Sequence, residues 1–187
     1  ARYGNDKSAL VKRKGNTVTE IKSWRDKSTM ELAGIILNEY ENANILDRPQ
    51  EICVDVIGIG AGVVDRLIEL DLPARGINVS ESASMSEKYM RMRDELWGKA
   101  REWFEQKDCK IPDDATLIHE LATPRFAFTS TGKIKIESKD EMRKRGIRSP
   151  DIADAFCLTL ASNAVIGVHG SKFAWKQTIE TDTNWIV

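Results

Sequence analysis

A nearly unbroken apolar run, Glu51-Ile52-Cys53-Val54-Asp55-Val56-Ile57-Gly58-Ile59-Gly60, constrains the fold more than any other stretch of this chain. Runs of this kind, rich in β-branched residues, belong to strands covered on both faces, as in parallel sheets. Gly58, Gly60 and Gly62 then make a tight turn into a helix over Val63 to Glu69. Strand, turn and helix form one unit of an α/β sheet. Asp55 interrupts the apolar run. Aspartate is disfavoured in a central strand by β propensity and by the cost of desolvation, so chance placement explains it poorly.

A second acidic site lies far along the chain, at Ser149-Pro150-Asp151-Ile152-Ala153-Asp154-Ala155-Phe156. Ser149 is a good N-cap, Pro150 suits the first helical position, and Ile152 to Ala161 contains no breaker. Residues three apart share a helix face, so Asp151 and Asp154 project together. Asp151 alone is explained by the helix dipole. Asp154 sits a turn deeper among Ala153, Ala155, Phe156, Cys157, Leu158 and Leu160. A carboxylate in such a setting wants a cation, and a hard divalent metal supplies one. One carboxylate from a strand and two from a distant helix can converge on a single metal.

The remaining pattern is mixed. Lys7 to Arg13 and Asn16 to Trp24 read as a hairpin turned at Gly15. Ser28 to Asn42 is a helix with a Ser28/Glu31 capping box, and Ala74 to Val79 is a short strand. Ser86 to Gln106 reads as one long helix with an aromatic stripe from Tyr89 through Arg93 and Trp97 to Phe104, facing a core rather than a cofactor. Leu117 to Ala122, Phe126 to Thr129 and Lys133 to Glu137 read as strands, the last two joined at Ser130-Thr131-Gly132. Residues 166–187 form a tail that docks on its own domain or on a neighbour.

Asp55-Val-Ile-Gly-Ile-Gly-Ala-Gly-Val-Val-Asp65 and Ser149-Pro-Asp-Ile-Ala-Asp-Ala resemble motifs of the nuclease domain of bacteriophage terminase large subunits. The opening Ala1-Arg2-Tyr3-Gly4-Asn5-Asp6-Lys7-Ser8 and the run Glu137-Ser-Lys-Asp-Glu-Met-Arg-Lys-Arg-Gly146 resemble two more, in the same order. The resemblance implies an RNase H-like mixed sheet flanked by helices over residues 1–165, with an added β-hairpin before the last acidic helix. It implies a DNA endonuclease that cuts concatemeric viral DNA during genome packaging. Asp55, Asp151 and Asp154 would be its metal ligands, for two Mg²⁺ or Mn²⁺ ions roughly 3.5–4 Å apart. Asp6 matches the family's second, auxiliary acid, and Asp65 reads as a surface acid. The family's leading Asp and its central strand would precede Ala1. The chain is therefore expected to be a piece of a longer polypeptide with an N-terminal ATPase domain. Another segment, most simply the residues upstream, is expected to fill the gap in the sheet. The implied partners are double-stranded DNA, that ATPase domain, the small terminase subunit and the portal, in the host cytoplasm.

Composition narrows the alternatives. A net charge of −1 excludes a strongly basic coat but leaves room for a local patch. Lys139, Arg143, Lys144, Arg145 and Arg148, just before the acidic helix, are the candidate DNA contacts, although Asp140 and Glu141 dilute them. Cys53, Cys109 and Cys157 lack metal-type spacing and read as thiols of a reducing compartment. No apolar run approaches the length of a membrane span. There is no G-x-x-x-x-G-K-[ST] loop, and the glycines after Asp55 depart from G-x-G-x-x-G because position 63 is Val. A nucleotide-binding or docking α/β domain, and a Holliday-junction-resolvase-like nuclease, are the alternative readings.

Overall fold

The expected hairpin forms as β1 (Ser8–Lys14) and β2 (Thr17–Trp24), antiparallel and with a bulge at Lys12/Arg13. The computed structural model describes residues 7–161 and 183–186. Asp6 and most of the tail lie outside them. Helix α1 (Thr29–Asn42) starts at its capping box: the Ser28 hydroxyl accepts from the Glu31 amide, and the Glu31 carboxylate accepts from the Ser28 amide.

Strand β3 (Glu51–Asp55) stops at Asp55, short of the full apolar run. Asp55 thus stands at the end of a strand rather than inside one. Helix α2 (Gly60–Glu69) begins earlier than Val63. A Cβ at Gly60 would overlap the Asp55 carbonyl oxygen, so glycine alone lets α2 start against the strand end. Strand β4 (Ala74–Ile77) runs parallel to β3.

Two expectations need correction. The long helix over Ser86 to Gln106 is α3 (Met92–Glu105), and the chain before it is irregular. Tyr89 there is buried against Gly98, where a side chain would collide with its ring. Leu117 to Ala122, expected as a strand, belongs to helix α4 (Ala115–Ala122). The Asp114 carboxylate caps it, accepting from the Leu117 amide at 2.9 Å. The added hairpin forms as β5 (Phe126–Phe128) and β6 (Ile134–Ile136). A further helix, α5 (Lys139–Lys144), lies within the basic run and is capped by Ser138. Helix α6 (Asp151–Leu158) follows and tightens into a 3₁₀ turn, and Thr183–Ile186 form β7.

The main sheet has the order β2-β1-β7-β3-β4. Strand β7 lies between β1 and β3, antiparallel to the first and parallel to the second. A segment does fill the gap, and in the structure it comes from the tail, where residues upstream were expected. Alternation along the strands splits the core into two layers. Leu10, Ile52 and Val54 face α1 and α2, while Ala9, Val11 and Cys53 face α3, α4 and α6. By the same period, Asp55 falls on the α6 side of the sheet.

Candidate metal and nucleic-acid site

Asp55, Asp151 and Asp154 line one cleft of about 570 Å³. Its walls come from the end of β3, the turn through Gly58 and Gly60, the start of α3 at Arg93 and Asp94, the β5–β6 hairpin at Lys135 and Ile136, and Lys139. Sheet and helix therefore do what their spacing predicts: a strand end and a helix start deliver three carboxylates to the same cavity.

Each carboxylate is held differently. Asp55 Oδ1 accepts from the Ile57 amide at 3.0 Å. Burial pushes the Asp55 carboxyl above the usual range, against the pull of that amide and of Lys139 and Arg93, while Asp154 pushes the same way as burial. Asp151 Oδ2 accepts from the backbone N–H of Lys7 at 2.7 Å, and its Oδ1 from the Lys139 ammonium at 3.2 Å. Asp154 Oδ1 accepts from the Trp97 indole at 2.9 Å and from Arg93 Nε at 3.2 Å. Its Oδ2 faces Lys139 Nζ at 3.3 Å. The Arg93 guanidinium also lies over the Trp97 ring and donates to the Glu137 carbonyl.

Lys139 thus sits between the two helix carboxylates. Among the described residues no group of three or more His, Cys, Asp or Glu side chains stands close enough to hold a metal. The donor set itself fits a hard cation, because it consists of carboxylate oxygens alone. One oxygen each of Asp151 and Asp154 is engaged with Lys139, and the second oxygen of Asp55 has no partner among the described residues. Coordination would exchange an ammonium for a divalent ion.

The start of α6 departs from expectation. Pro150, not Ser149, is the N-cap residue, and no side chain of its own segment caps the helix. Glu120 of α4 does so from outside: its Oε2 accepts from the amides of Ile152 at 2.7 Å and Ala153 at 3.0 Å. Burial raises the Glu120 carboxyl, partly countered by those two amides and reinforced by Asp151 and Asp154. Reading α4 as a strand hid this residue, although Asp114 was a cap signal for a helix. Arg93 and Trp97 were read as part of a core stripe; an arginine inside such a stripe was the signal that one end of it faces a charge.

The basic run does not form one face. Lys139 meets the acids, Arg143 pairs with Asp140, and Arg145 pairs with Glu137. Lys144 is exposed, and Arg148 lines a second cavity beside the first. Asp65 is exposed on α2, as expected, and Cys53 and Cys157 are buried free thiols. Among the described residues, no helix is long and apolar enough to cross a membrane.

No protein-family model and no curated protein matches the chain. Solved structures do. The nuclease domain of the large terminase subunit gp2 of bacterial virus Sf6 superposes with a TM-score of 0.69 at 21% identity, covering 84% of each chain. A variant of that domain with manganese and beta-thujaplicinol superposes with the same TM-score at 18% identity, again over 84% of each chain. The large terminase nuclease of thermophilic phage G20c with bound magnesium gives 0.58 at 14% identity, over 84% of this chain and 82% of that one. This chain has the RNase H-like fold of those domains.

Proposed function

We propose that this chain is a divalent-metal-dependent endodeoxyribonuclease of the terminase large-subunit type, cutting viral DNA during packaging. The observation that carries this reading is the convergence of Asp55, Asp151 and Asp154 on one cleft from elements far apart in sequence. Titratable clusters in a cleft are where chemistry is expected, and here one oxygen of Asp55 is left without a partner among the described residues while Lys139 alone faces the cleft-side oxygens of Asp151 and Asp154. The Sf6 and G20c domains, solved with manganese and with magnesium, support the choice of ion.

When bound, Mg²⁺ or Mn²⁺ at such a site lowers the pKa of an attacking water and stabilises the leaving 3′ oxygen of an in-line displacement. The protein's own groups set that up. Trp97 and Arg93 lock one oxygen of Asp154, leaving the other turned to the cleft. The Lys7 amide does the same for Asp151. Lys139 lies between the two helix acids and holds them close together, and its ammonium would meet a backbone phosphate entering the cleft. Double-stranded DNA is the substrate, the terminase ATPase domain, small subunit and portal are the partners, and the host cytoplasm is the setting.

The test is nicking of supercoiled plasmid in Mn²⁺ or Mg²⁺. Cleavage should stop in EDTA and in Asp55→Ala, with the variant as stable as the parent or more so, because one member of a self-repelling acidic group is gone. Cleavage that persists in chelator contradicts the mechanism. A variant that loses activity only by unfolding would make Asp55 a structural residue.

A further inference from the structure

A second cavity, of about 290 Å³, backs onto the first and shares Lys7 and Asp151 with it as a common wall. It is lined by Arg25 from the end of the β1–β2 hairpin, by His119 and Glu120 of α4, and by the Arg148-Ser149-Pro150 approach to α6. Three observations set it apart from an ordinary surface dent. Arg25, Arg148 and the Lys7 ammonium are joined to no carboxylate among the described residues, whereas Arg143 and Arg145 nearby are paired. The Ser149 hydroxyl is buried, in a residue only 8% exposed, and has no hydrogen-bond partner among the described residues. A buried hydroxyl without a partner is uncommon and costly. The two carboxylates on the wall are turned elsewhere, Glu120 to the Ile152 and Ala153 amides and Asp151 to the Lys7 amide and Lys139.

We propose that this cavity is a phosphodiester subsite, gripping a backbone phosphate next to the one cut in the adjoining cleft. It rests on the nuclease reading above. Successive phosphates of a strand advance only about 3.4 Å along the duplex axis, so a strand held at the metal cleft must lay neighbouring phosphates on whatever adjoins it. Here that is a cavity walled by cations that pair with no described carboxylate, with Ser149, whose hydroxyl is buried and unpartnered among the described residues, in its lining. Arg25 and Arg148 supply charge-assisted donors and Ser149 supplies a short neutral one. The site recognises the sugar–phosphate backbone and no base.

The test uses the full chain and a short DNA duplex in Ca²⁺, with affinity measured across a salt series. Arg25→Ala/Arg148→Ala should weaken binding at least roughly tenfold and make the log–log salt dependence shallower by about one to two. Ser149→Ala should weaken binding by several-fold while melting no lower than the parent, because it removes a hydroxyl that is unpartnered without DNA. Mn²⁺ binding by calorimetry should be unchanged in both variants. Unchanged DNA affinity and salt slope in the double variant, with Mn²⁺ binding and nicking intact in the parent, overturns the subsite alone. A parent that neither binds Mn²⁺ nor nicks DNA overturns the nuclease reading instead. A Ser149→Ala protein that binds DNA normally but loses stability would make the hydroxyl structural and also count against the subsite.

Discussion

At the scale of single residues, the site is a balance of charge around Lys139. Its ammonium lies 3.2 Å from Asp151 and 3.3 Å from Asp154, so it compensates two acids that share one helix turn. Lys139→Ala should therefore lower the melting temperature in EDTA, most clearly at low ionic strength where like-charge repulsion is least screened. It should also enlarge the stabilisation that Mn²⁺ confers, since the ion no longer competes with a resident cation. A variant that melts like the parent with and without Mn²⁺ would contradict this. Glu120 is a positioning residue: without it two buried amides at the start of α6 lose their acceptor. Glu120→Ala should cost about 1–3 kcal/mol in urea denaturation, with Glu120→Gln recovering part because its amide oxygen still accepts. That Asp55, Asp151 and Asp154 line one cleft was legible from Asp55 interrupting an apolar strand and Asp151 and Asp154 sharing a helix face. Lys139 was legible only as a basic residue near the site. Glu120, Arg93 and Trp97 were not legible as partners, since their contacts span 32, 61 and 57 residues of chain and no local spacing encodes them.

At the scale of elements, local chemistry explains both the successes and the failures. The capping box of α1, Ser28/Glu31, was read in the sequence and forms; that of α5, Ser138/Glu141, has the same spacing, was not read, and forms as well. In each, hydrogen bonds from the cap serine's backbone and side chain, with a nearby lysine, hold the glutamate down to about 2. A folded pKa below the unfolded one means stabilisation that is complete above about 4.3 and is lost as pH falls toward 2. The ends of α1 and α5 should fray in that window before the rest of the protein unfolds. NMR of the Glu31 and Glu141 amides through the acid range checks this, and amides that hold their shifts down to global unfolding would refute it. Helix α4 was misread because Thr116-Leu117-Ile118 looks β-prone and the helix is short, so its Asp114 cap and its packing on α6 decide its structure. Strand β3 ends early because Asp55 turns its carboxylate to the Ile57 amide and Gly58 takes a positive φ, which breaks the extended geometry the apolar residues would otherwise continue.

At the scale of the whole molecule, the sheet depends on a pairing between distant parts of the chain. Strand β7 pairs with β1 from Lys14↔Thr183 to Val11↔Ile186, and with β3 from Glu51↔Asn184 to Cys53↔Ile186. Without it the backbones of β1 and β3 would face each other across a gap, at a cost of roughly 1–3 kcal/mol for each buried group left unpaired. Typical domain stability is only about 5–15 kcal/mol, so deleting residues 183–187 should drop the melting temperature sharply or abolish folding. Equal melting of truncated and full chains would show that β7 is dispensable. The α/β class and the hairpins were legible from periodicity, but this closure was not: residues 183–186 carry no alternation that marks a central strand, and the expected gap-filler was drawn from the family resemblance, which points upstream rather than to the tail. The sheet matters to function because it fixes the end of β3, and with it Asp55, opposite the start of α6. Whether that meeting point is a metal centre is tested most directly by an anomalous difference map from a crystal of the full chain soaked in Mn²⁺. The account predicts a peak in the cleft, about 2.0–2.3 Å from carboxylate oxygens of Asp55 and of Asp151 or Asp154, with the Lys139 ammonium displaced from between the helix acids. A cleft with no peak at saturating Mn²⁺, and Lys139 still bridging Asp151 and Asp154, would contradict it.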